Sequence, residues 1–128
     1  MNFYKYLIIA LALVSQQGYA IGRVIFRNNS GVDITINHTT LADRGQFHDA
    51  RVLRPAATTE YQSYNFTGTG MEAQYNISQM RATYASTFAV THEINVNRIK
   101  EAARNCQNGD VIVDIHPKSE APITVSCR

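Results

Sequence analysis

The sequence predicts a mainly β protein, an antiparallel β-sandwich or open barrel of about seven to eight strands with one short helix, Asn97 to Cys106, stapled by a disulfide. Three observations carry this. Apolar side chains recur every second residue through most of the chain, which is the period of a half-buried strand. One segment only, Ile99, Ala102, Ala103 and Cys106, changes to the i, i+3, i+4, i+7 spacing of a helix face. Two cysteines, Cys106 and Cys127, stand close together near the end of the chain, one on that helix face and one on an alternating strand face.

The first strand places Val24 and Phe26 on one face, with Arg23, Ile25 and Arg27 on the other. Asn28-Asn29-Ser30-Gly31 has turn chemistry, because Asn and Gly tolerate positive φ and Ser bonds the local backbone. Val32, Ile34 and Ile36 then alternate with Asp33, Thr35 and Asn37. Strand, turn and strand predict a hairpin here. From Thr39 to Pro55 the alternation stops, so this stretch reads as a long polar loop. An aromatic stretch, Tyr61 to Phe66, has no evident register, and Gly68-Thr69-Gly70 turns the chain. Alternation returns in Met71 to Ile77, in Met80, Ala82 and Tyr84, and in Phe88, Val90, His92, Ile94 and Val96.

Asn97 is a suitable N-cap for the helix, and Gly109 is placed to end the segment. Two strands follow, Val111 to Ile115 and Ile123 to Cys127. A Cys106–Cys127 bond would fasten the helix to the last strand. Closing that loop contributes about 3 kcal/mol in the chain-entropy picture.

Residues 1–20 have an export layout. Lys5 precedes an apolar run from Leu7 to Val14, and Gly18-Tyr19-Ala20 supplies small residues one and three places before a cut. The run is far short of the roughly 20 residues a span requires, so no membrane span is expected after cleavage. The expected organisation is therefore a cleavable signal peptide, 1–20, and a single β-rich domain, 21–128. An exported protein, periplasmic or extracellular, matches the use of the two cysteines as a bridge.

The formal charge is +2 and falls to +1 when Lys5 leaves with the signal. A near balance gives no bulk electrostatic support for general nucleic-acid binding. The remaining cations are mostly arginines, whose planar forks suit carboxylates and phosphates.

No metal-ligand spacing, nucleophile elbow or phosphate loop occurs, and neither cofactor nor metal is expected. His92-Glu93 begins like a zinc-protease helix, but position 96 is Val96 and the alternation says strand. His92 shares a face with Val90 and Ile94 and should be a buried polar group needing partners. The richest cluster of chemistry-bearing side chains is His38, Asp43, Arg44, His48, Asp49, Arg51 and Arg54. It could grip an anion or support acid–base cleavage, and equally could be a solvated loop. Asn28, Asn37, Asn65 and Asn76 head glycosylation tripeptides, which chance explains in a chain this rich in Asn, Ser and Thr.

Two functions are compatible with these features. One is a non-catalytic binding or interaction module with a protein or glycan partner, including an enzyme that it inhibits. The other is a small nuclease-like hydrolase using histidine, carboxylate and arginine. The second requires at least two of His38, His48, His92 and His116 in one concavity.

Overall fold

The computed structural model describes residues 22–42, 45–68, 76–86, 89–106, 109–117 and 122–128. The expected signal peptide lies outside these residues, as do Asp43, Arg44, Met71 to Tyr75 and Phe88. Among the described residues eight strands form two four-stranded sheets packed as a sandwich. In chain order they are β1 (Arg23–Asn28), β2 (Ile34–Ala42), β3 (Gly45–Leu53), β4 (Thr58–Gln62), β5 (Ile77–Tyr84), β6 (Val90–Ile94), β7 (Val111–Ile115) and β8 (Ile123–Cys127). One sheet has the order β4-β1-β7-β8 and the other β3-β2-β5-β6. Every pairing is antiparallel except β1 with β7, which is parallel.

The expected hairpin between the first two strands does not form, because β1 and β2 belong to different sheets. The Asn28–Gly31 segment does turn, with Gly31 at a φ of 83°. It is a corner between sheets rather than a hairpin loop, and Asn28 is its pivot. The Asn28 amide donates to Val32 O at 2.7 Å and to Leu53 O at 2.8 Å. Its Oδ1 accepts from Ser30 N and Oγ. Val32 leads into β2 and Leu53 ends β3, so one side chain ties together the first two chain crossings between the sheets, β1 to β2 and β3 to β4. Asn28 is fully buried, and an amide so engaged has no room for a glycan.

The expected loop from Thr39 to Pro55 is also corrected. It is the outer part of a long β2–β3 hairpin, paired from Ile34↔Leu53 to Ala42↔Gly45. Gly45 to Ala50 are exposed on both faces, so no buried side requires alternating apolar residues there. Burial resumes only at Leu53.

The core fills the space between the two inner faces. Val24, Phe26, Tyr61, Val111, Val113 and Ile115 come from one sheet. Ile34, Ile36, Leu53, Ile77, Met80, Ala82, Tyr84 and Ile94 come from the other. Two helices, α1 (Tyr64–Thr67) and α2 (Val96–Asn105), pack together and add Phe66, Val96 and Ile99 to the same core. The predicted apolar face of α2 is the one that packs, with Ala102 and Ala103 against the core. Its cap is Asn95 rather than Asn97: the Asn95 side chain accepts from Arg98 N at 3.1 Å. Val96, assigned to a strand by its alternation, is instead the first helical residue.

The Cys106–Cys127 disulfide joins the residue following α2 to the end of β8. Among the described residues no helix is long and apolar enough to cross a membrane.

Candidate functional site

Strand register divides the predicted polar cluster into two groups on opposite faces of the β3-β2-β5-β6 sheet. Residues directly opposite on paired strands share a face, and alternate residues along a strand do not. Ile34 and Ile36 face the core, so His38 does too, with Asp49 opposite it and Arg51 opposite Ile36. Thr39 faces outward, with His48 opposite it.

The inward group closes one mouth of the sandwich. The His38 Nδ1 lies 3.2 Å from the hydroxyl of Tyr61 on β4. Its Nε2 faces Asp49 Oδ2 at 3.9 Å, and Asp49 Oδ2 is also 3.9 Å from Arg51 Nε. The Arg51 guanidinium stacks on the Tyr61 ring, 4.0 Å from its centroid. It also donates to Thr59 Oγ1 at 2.9 Å and to Glu60 O at 3.0 Å. Arg51 therefore bridges the two sheets, and its fork is already occupied by the protein. Arg54 lies exposed in the turn after β3.

Burial pushes the Tyr61 hydroxyl up to about 12 and lowers the His38 imidazole below its ordinary 6.5. For His38 the Asp49 carboxylate works against burial and Arg51 works with it. Both groups are neutral at pH 7. The hydrogen-bond assignment that uses both partners has Tyr61 donating to Nδ1 and Nε2–H facing Asp49. Tyr61 is only 3% exposed, so this line of groups holds the sheets together rather than presenting a nucleophile.

The sign of the pH effect follows. An imidazole whose folded value lies below its unfolded value binds fewer protons when folded, so acid favours unfolding. The contribution is fully present above about 6.5 and is lost as pH falls through the lowered folded value. Urea midpoints for the protein should fall between pH 7.5 and pH 5. They should fall less steeply for His38→Gln, and equal slopes for the two proteins would remove His38 from the acid response. The carboxyls of Asp110 and Asp114, lowered chiefly by hydrogen bonds from Arg23 and Arg27, act only in more acidic solution.

The outward group lines a shallow concavity of about 620 Å³ across the outer face, within the range that small-molecule sites occupy, about 300–1,000 Å³. From β3 come Gln46, His48 and Ala50, and from β2 come Asn37 and Thr39. From β5 come Gln79, Arg81 and Thr83, with Thr91 from β6. His48 Nδ1 is 3.0 Å from Thr39 Oγ1, and Thr83 Oγ1 is 3.0 Å from Thr91 Oγ1. These cross-strand pairs orient their side chains across the sheet. His38, Asp49 and Met80 border the concavity through their strands, while the register turns their side chains to the other face.

The four histidines thus occupy four settings. His38 meets Tyr61 inside and His48 meets Thr39 outside. His116, just after β7, lies 2.9 Å from Thr124 Oγ1. His92, on the inner face of β6, packs its ring edge-on against Tyr84 with centroids 5.5 Å apart. Its Nε2 is buried without a hydrogen-bond partner among the described residues. Sequence reasoning missed Asn37, Thr39, Gln46, Gln79, Arg81, Thr83 and Thr91. The outward positions of β2, β3, β5 and β6 held them, but polar outward residues carry no mark that distinguishes a site from ordinary surface.

No protein-family model and no curated protein matches the chain. Among solved structures it is similar to a protein from Eubacterium rectale determined by NMR, at 12% identity and a TM-score of 0.37, over 88% of this chain and 92% of that one. It is also similar to a structure described as a trapped toxin, at 6% identity and a TM-score of 0.26, over 84% of this chain and 23% of that one.

Proposed function

We propose that this protein is an exported, non-catalytic binding module that takes an oligosaccharide on the outer face of its β3-β2-β5-β6 sheet. The observation that carries this reading is the concavity itself. Among the described residues its floor is built from amides, hydroxyls, an imidazole and the exposed guanidinium of Arg81, all standing on strands, with no Phe, Tyr or Trp side chain in the lining. Protein hot spots are centred on buried aromatic and arginine anchors. A surface of spaced donors and acceptors instead suits a ligand that is itself hydroxylated and is held by hydrogen bonds. The disulfide and the signal-like N-terminus support an extracytoplasmic setting. The nuclease-like reading requires two histidines at one substrate, and although His38 and His48 both border the concavity, the strand register turns their side chains to opposite faces of the sheet.

The test is calorimetric titration of the protein with a panel of neutral and charged oligosaccharides. Binding by at least one is expected, and truncating Gln46 and His48 together to alanine should weaken it by roughly tenfold or more, the sum of two modest hydrogen bonds. Binding unaffected by the double substitution would move the site elsewhere. A silent panel would overturn the glycan reading.

A further inference from the structure

Arg81 stands on the outer face of β5, a central strand, and is exposed. Its register partners are Asn37 on β2 and Glu93 on β6. Among the described residues it makes no hydrogen bond and no ion pair.

The other outer face is different. There Arg23 is paired with Asp110 and Glu60, each at 3.1 Å. Arg27 grips Asp114 with two bonds of 2.7 and 3.0 Å. The arginines of the β4-β1-β7-β8 sheet are neutralised by their own neighbours, and Arg51 is engaged at the mouth of the sandwich. On the β3-β2-β5-β6 sheet the guanidinium fork of Arg81, which lines the concavity, has no partner among the described residues. Among the described residues no side chain that the register turns into the concavity is a carboxylate: Asp49 borders it but faces inward, and Glu93 lies beyond Arg81 on the edge strand.

We infer that the ligand is an acidic oligosaccharide, one carrying a uronic-acid carboxylate, and that Arg81 is the residue that selects for it. The inference rests on the binding role proposed for this face and adds the charge of the ligand. An unpaired guanidinium presents parallel N–H groups that match a carboxylate, and such bidentate pairs are the strong ones. The carboxylate lies on the Asn37 side of Arg81. There the Asn37 amide offers another donor and the spacing from Glu93 is greatest. Glu93 opposes the acid, so its removal should help rather than harm.

The experiment compares oligogalacturonides and hyaluronan oligomers with their methyl esters, which keep the sugar backbone and lose the charge. The protein should bind an acid form about tenfold or more tightly than its ester, and the preference should shrink at high salt. Arg81→Gln should bring the acid down to the level of the ester with thermal stability unchanged. Glu93→Gln should tighten the acid form. Equal affinity for acid and ester, or a preference that survives Arg81→Gln, overturns the inference and leaves binding at this face standing. Binding confined to neutral sugars overturns it in the same way. Failure of every sugar, neutral and acidic, overturns the underlying role as well.

Discussion

Replacing Cys106 and Cys127 together with alanine is expected to lower the unfolding free energy by about 3 kcal/mol and the melting temperature by more than about 10 °C. The bond spans a sequence separation of 21. It joins a buried residue at the end of α2 to an exposed residue on β8, which among the described residues is an edge strand paired only with β7. Beyond that strand, Arg128 is held by a reciprocal pair of backbone bonds with Asp110, at 2.8 and 3.2 Å. Gly109 sits so close to this clasp that a Cβ there would lie 2.4 Å from Arg128 O. The chain end is thus fastened by a few backbone bonds and one covalent bond. Without the bridge the unfolded chain regains the freedom of the closed loop, and β8 should fray first. The check is denaturant unfolding of the double variant, with hydrogen exchange across β7 and β8. Unchanged midpoints would mean that packing of Val96 and Ile99 alone secures this corner.

The parts of the fold legible in the sequence were those with one buried face. Val24 and Phe26, and Met80 through Tyr84, alternate because one side of each strand meets the core, while in β7 the core-facing Val111, Val113 and Ile115 are joined by Ile112, buried on the other face. Ile99, Ala102, Ala103 and Cys106 mark the helix for the same reason. Where burial is absent, the signal is absent. Most of β3 is exposed on both faces, so nothing in Gly45 to Ala50 distinguishes a strand from a loop. The β1–β2 corner failed differently. Asn, Ser and Gly serve a turn within a sheet and a turn between sheets equally well, and only the long-range bond from Asn28 to Leu53 tells them apart. The helix start moved by two residues because Val96 satisfies both a strand alternation and a helix face.

The candidate site shows how far a cluster in sequence can mislead about a cluster in space. His38, His48, Asp49 and Arg51 are close along the chain, yet a hairpin places odd and even positions on opposite sides. Two of these residues, His38 and Arg51, are spent on joining the sheets. His48 joins Arg81, more than thirty residues away, on a face that only the β2–β5 pairing assembles. Sequence alone could not bring them together, since strand order depends on packing between segments and not on any local preference.

Asn28→Asp is expected to be the most damaging single substitution, costing about 3–5 kcal/mol at neutral pH, the range for an uncompensated buried charge. The change is nearly isosteric, so its effect is almost purely one of hydrogen bonding and charge. In the native side chain Nδ2 gives one proton to Val32 O and the other to Leu53 O. A carboxylate would put an acceptor oxygen against both carbonyls at a position with no solvent access. The first two crossings between the sheets would then lose their anchor at once, since Val32 belongs to the first and Leu53 to the second. Asn28→Ala loses the same bonds without gaining a charge and should cost less. Acid separates the two variants. The buried carboxyl has a raised folded value, so the folded variant takes up a proton before the unfolded one does. Once protonated it can donate one of the two lost bonds. The gap in denaturant midpoint between Asn28→Asp and Asn28→Ala should therefore narrow as pH falls from 7 towards 4. A gap that stays constant over that interval would show that steric fit at the corner, and not the donor pair, is what position 28 supplies.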